Sequence, residues 1–332
     1  MNKAIQLLTL ICLMGWGTSC SPNRTSENYL IEIDSLTYHY PDSAILCLKE
    51  LVNSIKEQSI DIQKYYHLLT IKANDKAFIK HTSDSLILSL ISYYEKNKGM
   101  LLAEAYYYAG RVYSDLYDAP KALDYFQKAA ELLDGSTNYK LQKVVYSQMG
   151  HLLLYQDVYD EAMKAFRRAY HYCSLLGDQI GMIKNLCTIG ETYTGYGRAD
   201  SAMCYFQKAY KKAVMLNHEE LVGKTNLYIS ELYNQLEQFD SARAIIKTYN
   251  APSNMTYNEI VGEMYYGINQ LDSAAYYYKK VMGENEMYTS QRAHLKLAEI
   301  AMAKGDAEAA LEHTRKYKEW TTEIAQATNT ET

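Results

Sequence analysis

The sequence predicts an all-α protein built from repeated helix pairs, on the strength of three observations. The 332 residues include only 4 Pro and 16 Gly, few for a chain rich in β-turns or linkers. Four alanines recur at a step of 40 residues: Ala122, Ala162, Ala202 and Ala242. A bulky Phe or Ile follows each of them by four residues, which is about one helical turn.

Each repeat contains a second small position, twelve residues before the recurring alanine. It is filled by Gly110, Gly150, Gly190, Ser230, Gly262 and Ala298. Small residues at facing positions let two helices approach closely, and a bulky residue one turn later fills the space beside them. Aligning all units on the alanine position gives eight: Ala44, Leu86, Ala122, Ala162, Ala202, Ala242, Ala274 and Ala310.

Two stretches, "AEAYYYAGRVYSDLYDAPKALDYFQKAAELL" (103–133) and "NLCTIGETYTGYGRADSAMCYFQKAYKKA" (185–213), resemble tetratricopeptide repeats. The resemblance implies a right-handed α-solenoid of helix-turn-helix repeats, with the first helix of each pair lining a concave face. The expected organisation is a leader (1–19), a linker (20–27), degenerate repeats (28–100), six repeats (101–318), and a capping helix end with a polar tail (319–332).

The tripeptide Asp-Ser-Ala occurs four times, beginning at Asp42, Asp200, Asp240 and Asp272. We expect it to mark the start of each second helix, because Asp and Ser side chains accept hydrogen bonds from unpaired helix N–H groups. The wider pattern Asp-Ser-Ala/Leu also resembles an acceptor sequence for bacterial O-glycosylation. That interpretation names six candidate serines: Ser35, Ser43, Ser85, Ser201, Ser241 and Ser273.

The first twenty residues differ from the rest of the chain. Lys3 precedes an apolar run from Ala4 to Trp16, too short for a membrane span, and small residues 17–19 lead to Cys20. This resembles a bacterial lipobox, which implies cleavage before Cys20 and lipidation of its thiol; an ordinary signal peptide is the alternative. Residues 21–24 carry no acidic run and no Asp follows Cys20, so we expect an outer-membrane lipoprotein facing the periplasm.

Composition and the absence of known motifs argue against several classes of function. The formal net charge is −5, and the sequence has no Lys/Arg cluster of the kind that neutralises phosphates, so it argues against nucleic acid as a partner. Phosphate-loop, nucleophile-elbow and zinc spacings are absent from the sequence, so we expect no enzyme activity, cofactor or metal. The thiols of Cys173 and Cys187 suit either a disulfide or two buried apolar side chains.

The repeat resemblance places the residue after each small position on the concave face. Four of these residues form an acidic row: Glu191, Glu231, Glu263 and Glu299. Lys184, Lys224 and Asn234 are expected beside them. The complete set of candidate groove residues is Tyr107, Arg111, His151, Tyr155, Glu191, Glu231, Glu263, Tyr266 and Glu299. An acidic row with tyrosines favours a basic or amphipathic peptide; a merely solvated face is the alternative.

These expectations combine into a non-enzymatic, lipid-anchored scaffold that binds proteins or peptides in the bacterial cell envelope. Two alternatives remain at the level of sequence. One is the ligand-sensing input component of a signalling system, which would bind a glycan or a peptide. The other is an outer-membrane assembly factor, similar to the repeat-bearing lipoproteins of barrel insertion.

Overall fold

The computed structural model describes residues 26–97, 100–248, 255–282 and 287–329, and these form helices and connecting turns without a β-strand. The chain divides into two compact units, and the boundary lies between Asp118 and Ala119. This boundary falls inside the first of the six expected repeats. The expected leader and Cys20 lie outside the described residues. Within those ranges, no helix has the length and apolarity to cross a membrane.

The first unit contains five α-helices in its described residues. Leu30, Ile33, Ala44, Leu48 and Leu69 form a fully buried core cluster in this unit. The helices are α1 (Ser26–His39), α2 (Pro41–Leu51), α3 (Ile60–Lys76), α4 (Ser85–Tyr94) and α5 (Met100–Asp115), with short 3₁₀ turns at Ser54–Glu57 and Glu95–Asn97.

The second unit begins with α6 (Ala119–Leu132), followed by five consecutive helix pairs. Each first helix contacts its own second helix, and each second helix contacts the first helix of the pair that follows it. The pairs are α7 (Tyr139–Tyr155) with α8 (Tyr159–Leu175), α9 (Gln179–Gly195) with α10 (Ala199–Met215), α11 (Glu219–Gln235) with α12 (Phe239–Thr248), α13 (Met255–Gly267) with α14 (Leu271–Val281), and α15 (Met287–Ala303) with α16 (Ala307–Asn329).

Close contact between a glycine and an aromatic ring sets the spacing within these pairs. An added Cβ at Gly150 would lie 2.5 Å from Cε1 of Phe166, and one at Gly190 would overlap the ring of Phe206. The recurring Ala162 and Ala202 on the same second helices are fully buried. The small and bulky positions expected from the sequence therefore do face each other.

The Asp-Ser-Ala motif lies inside helices, which corrects the expected capping role. Asp42, Asp200, Asp240 and Asp272 are each the second residue of a helix, and no side-chain capping bond is made at the starts of α2, α10 or α14. Their charge still favours the positive end of the helix dipole. Hydrogen-bonded caps occur at other helix starts: Asn138 Oδ1 accepts from Leu141 N at 3.2 Å and Asp178 Oδ1 from Gly181 N at 2.8 Å on first helices, and Asp306 Oδ1 accepts from Ala309 N at 3.0 Å on the second helix α16.

The six candidate acceptor serines differ in exposure. Ser35 lies in the middle of α1, where its hydroxyl donates to Ile31 O at 3.2 Å, so its Asp-Ser pair does not begin a helix. Ser35 and Ser85 are exposed, and the other four are half-buried: Ser43, Ser201, Ser241 and Ser273.

The alignment of Leu86 with the recurring alanines was wrong. The alanines of the other units are almost fully buried, whereas Leu86 is exposed and its neighbour Ile87 is buried, together with Leu90. Helix α4 thus presents a different face to its core. The Leu side chain does not fit a position where neighbouring units accept only a methyl group.

The described cysteines Cys47, Cys173, Cys187 and Cys204 are free thiols. Cys173 and Cys187 are both buried, and the Sγ of Cys173 accepts a hydrogen bond from Asn185 Nδ2 at 3.5 Å. Burial raises the pKa of Cys187 to about 12. In this structure, both side chains behave as small apolar core residues.

We expect Gly150→Ala to destabilise the protein, even though alanine favours a helix by about 1 kcal/mol over glycine. The new methyl group collides with Phe166, and overpacking of this kind costs about 1–3 kcal/mol. Urea unfolding of Gly150→Ala, Phe166→Leu and the double variant measures the coupling. The double variant should lose less stability than the sum of the two single variants; additive losses would contradict the contact.

Candidate functional site: a groove on the first helices

Three adjoining cavities run along the first helices of the second unit, with volumes of about 420, 600 and 270 Å³. Glu191 and Tyr228 line all three. We call this continuous feature the groove. Its other lining residues on first helices include Ser147 and His151 of α7, Lys184 and Thr188 of α9, Lys224 and Glu231 of α11, Glu259 and Ile260 of α13, and Thr289 and Arg292 of α15.

The groove carries charges of both signs. Lys184 and Lys224 are exposed at its wall, while Arg292 lies 2.9 Å from a carboxylate oxygen of Glu259. Glu191 and Glu231 add two further carboxylates on α9 and α11. The walls therefore combine cations with acidic groups drawn from three successive repeats.

The carboxylates of the groove hold their protons more tightly than usual. Burial raises the pKa of Glu191 to about 7, and the charge of Glu231 acts in the same direction, whereas Lys224 and a hydrogen bond with Tyr228 oppose it. Desolvation within the groove, followed by the charge of Glu259, raises the pKa of Glu231. Desolvation also raises the pKa of Glu259, although Arg292 counteracts it.

Five of the residues expected on the concave face line the groove: His151, Glu191, Glu231, Lys184 and Lys224. His151 packs edge-on against the Phe166 ring at 5.1 Å, and burial lowers its pKa. These residues lie on first helices, as the sequence predicts. The 40-residue step therefore places chemically similar side chains beside one another on parallel helices.

The other two members of the acidic row are engaged within the chain. Glu263 Oε2 accepts a hydrogen bond from the Tyr278 hydroxyl at 2.6 Å, and Glu299 lies 3.3 Å from Lys296 Nζ. That Lys296 ammonium also lies 5.0 Å from the centre of the Tyr266 ring. None of these four residues lines the described cavities, and Tyr155 is 84% exposed at the end of α7. Asn234 is buried and donates to Ile260 O at 2.8 Å, a structural role.

The candidate groove residues of the first unit form part of a buried polar network. Tyr107 is buried, and Arg111 Nε lies 2.6 Å from the buried Asp75 carboxylate. Lys72, also buried, bridges Asp34 and Glu104 at 2.7 Å from each. In this unit, inward-facing charges are paired with one another.

Tyr228, Glu259 and Arg292 are among the groove residues that escaped the sequence prediction. Glu259 stands four residues before Glu263, so it occupies the same helix face one turn earlier. That spacing was visible in the sequence and is the signal that could have found it. Tyr228 stacks on Phe206 at 5.4 Å with the rings nearly parallel, a contact between repeats that the sequence did not reveal.

No protein-family model matches the chain, and a search of curated proteins finds no match. Solved structures do share its fold. The apo form of RapI aligns with a TM-score of 0.66 at 12% identity, over 91% of this chain and 98% of that one. NprR in complex with its cognate peptide NprX aligns at 0.58 and 15% identity, over 93% and 100%.

A third structure names the repeat type. It is a STAND signal-transduction ATPase with a tetratricopeptide repeat sensor from Pyrococcus horikoshii, similar at a TM-score of 0.68 and 14% identity over 92% of this chain. The alignment covers 49% of that protein, so the chain spans about half its length. These identities are low and show the fold alone. The expected all-α solenoid of tetratricopeptide-type repeats is confirmed.

We expect Glu191→Gln to stabilise the protein more at pH 8 than at pH 5. The pKa of Glu191 is raised from 4.5 to about 7 in the folded state, so the native protein binds this proton more tightly than the unfolded chain does. The resulting stability is full below about pH 4.5 and is lost as the pH rises through about 7. Urea midpoints of both proteins across this range measure the difference.

Lys224→Met provides the matched test. The Lys224 charge opposes the rise in the pKa of Glu191, so its removal should move the pH-dependent loss of stability to higher pH. A difference between wild type and Glu191→Gln that stays constant from pH 5 to pH 8 would contradict the assignment.

Proposed function

We propose that the groove of the second unit binds a peptide segment of a partner protein. In this proposal the protein is a non-enzymatic scaffold, tethered by a lipid on Cys20 to the outer membrane and facing the periplasm. The observation that carries the proposal is the continuity of three cavities over successive first helices. A groove that crosses several repeats suits an extended chain.

The electrostatics of the groove favour a basic or amphipathic segment. Burial raises the pKa of Glu191, Glu231 and Glu259; the charge of Glu231 adds to the rise at Glu191, and the charge of Glu259 adds to the rise at Glu231. A cationic side chain placed among them would relieve that repulsion and favour their ionised forms. The exposed ammonium groups of Lys184 and Lys224 would pair with a carboxylate of the same ligand.

Two similar structures give the proposal a precedent. NprR was solved with its cognate peptide NprX, and a Rap protein was solved with Competence and Sporulation Factor, at a TM-score of 0.54 and 15% identity. Peptide binding is a property of those proteins. Its transfer to this chain depends on the groove residues described above.

In-cell crosslinking of the intact protein, with mass spectrometry of what co-purifies, tests the proposal. The groove variant combines Glu191→Gln, Glu231→Gln and Glu259→Gln. Because these substitutions remove the negative charges facing the ligand, we expect one dominant partner to be lost from the variant.

The matched control combines Glu263→Gln and Glu299→Gln, which remove acidic groups that bond within the chain. The control should retain the partner. If both variants retain the same set of partners, the acidic groups of the groove are only a solvated face and the proposal fails.

A ligand-sensing role is the second candidate, because the largest of the three groove cavities, about 600 Å³, lies within the size range of small-molecule sites. A ligand that binds only the folded protein must stabilise it. We expect short basic peptides to raise the melting temperature if the groove recognises them as free ligands. Neutral oligosaccharides in the same assay would do so only if the groove is a glycan sensor.

A further inference from the structure

A lysine and a glutamate recur at one interval on the two central first helices of the groove. Lys184 precedes Glu191 by seven residues in α9, and Lys224 precedes Glu231 by seven residues in α11. Seven residues make about two helical turns and about 10 Å of helix, so the two charges lie on one face at different heights. All four residues line the groove.

The two edges of the groove differ in charge as a result. Helices α9 and α11 are successive first helices and run in the same direction, so the two lysines lie side by side, and so do the two glutamates. We call Lys184 and Lys224 the lysine edge, and Glu191 and Glu231 the glutamate edge.

The cavities show the same division between the two edges. Lys184 lines both the 420 Å³ cavity of the groove and an adjoining cavity of about 240 Å³. The 270 Å³ cavity is lined by Glu191 and Glu231, and by no cationic residue of the described chain. A ligand that fills the groove therefore meets cations along one side and carboxylates along the other.

Lys184 carries a charge that the chain does not neutralise. Its side chain is exposed, and it forms no salt bridge within the described residues. The Asp178 carboxylate, on which the charge of Lys184 also acts, is paired with Lys143 Nζ at 2.9 Å. Because Lys143 compensates Asp178, the ammonium of Lys184 remains open to a ligand.

Lys224 is likewise exposed and forms no salt bridge in the described part of the chain. Its ammonium lies 5.9 Å from the centre of the Tyr228 ring, and its charge acts on the Glu191 carboxylate from beyond salt-bridge distance. The side chain of Glu191 is hydrogen-bonded to Tyr228. The Lys224 ammonium thus keeps its hydrogen-bond donors for a ligand.

The glutamate edge also retains its charge. Arg292, whose charge acts on Glu231, is paired with Glu259 at 2.9 Å, and Glu231 itself forms no salt bridge within the described ranges. The hydrogen-bonding partner of Glu191 is a neutral phenol, so this carboxylate is not neutralised either. Carboxylates that are partly withdrawn from water gain when a cation pairs with them.

The lysine edge extends over two repeats. Its equivalent positions are Val144 in α7 and Thr256 in α13, at repeat steps of 40 and 32 residues, and neither carries a charge. Axes of packed helices lie about 8–10 Å apart, which is about three residues of extended chain. An octapeptide is therefore long enough to reach both lysines and both glutamates.

We propose that the groove selects a partner segment of mixed charge, whose acidic side chains pair with Lys184 and Lys224 while its basic side chains pair with Glu191 and Glu231 on the opposite edge. This inference rests on the proposed function and makes it more specific, because a purely basic segment would place cations against the lysine edge. An extended chain directs alternate side chains to opposite sides. Acidic and basic residues that alternate therefore reach both edges at once.

Fluorescence anisotropy with three labelled octapeptides and the purified full chain tests the inference. The first peptide alternates Glu and Lys, the second has the same composition with all Glu residues before all Lys residues, and the third contains Lys alone. Physiological salt screens long-range attraction to the acidic protein. We expect the alternating peptide to bind about fivefold more tightly than the segregated one, which would have to fold back on itself to serve both edges.

The failure of this inference is distinguishable from the failure of the proposed function. Tighter binding of the all-Lys peptide than of the alternating peptide would overturn the mixed-charge ligand and leave a basic ligand in place. Equal affinities for the alternating and segregated peptides, or no binding of any peptide, would also overturn it. The in-cell loss of the partner in the variant that combines Glu191→Gln, Glu231→Gln and Glu259→Gln decides the proposed function separately.

Charge reversal of the lysine edge identifies the residues that contact the ligand. Lys184→Glu combined with Lys224→Glu should abolish the preference for the alternating peptide and strengthen binding of the all-Lys peptide. The matched control, Lys211→Glu with Lys247→Glu, changes the net charge equally at exposed positions of second helices and should keep the preference. If the reversed edge still prefers the alternating peptide, the lysines do not contact the ligand and the inference fails.

Discussion

The second unit depends on one constraint, the close contact between a glycine of a first helix and an aromatic ring of the paired second helix. The rings of Phe166 and Phe206 lie against Gly150 and Gly190 so closely that no Cβ fits between them. This fixes the separation of the two helices in a pair. The sequence varies accordingly. Where serine replaces glycine at position 230, the bulky residue sixteen positions later is Ile246 rather than an aromatic residue.

Fixed pairs place the first helices side by side, and the groove is a consequence of that arrangement. Side chains at equivalent positions of successive repeats become neighbours, although about 40 residues separate them in the chain. Glu191 and Glu231 occupy equivalent positions, and Glu259 lies one turn before the next such position; desolvation, together with a neighbouring carboxylate, raises the pKa of each. The raised pKa values of Glu191 and Glu231 depend on the repeat architecture, since the carboxylate that acts on each of them lies on the next first helix.

The two units differ in how their inward-facing charged side chains are paired. In the first, Lys72 and Arg111 are each paired with carboxylates of their own unit, Asp34 and Glu104 for Lys72 and Asp75 for Arg111. In the second, Lys184 and Lys224 stay exposed at a groove wall. The first unit instead exposes apolar groups at its turns, where Phe78 and Tyr117 adopt strained backbone conformations.

The sequence by itself determined the helix pairs, the repeat step, the small-against-bulky contacts and the helices that carry the groove, because these follow from local spacing and side-chain volume. It also predicted that Glu191 and Glu231 lie at equivalent positions of successive first helices, since the same offset recurs in both units. Tertiary structure alone decided that Glu263 and Glu299 bond within the chain, that Glu259 replaces them in the groove, and that Leu86 faces outward. Those outcomes depend on helix rotation and on partners distant in sequence, and a linear pattern records neither.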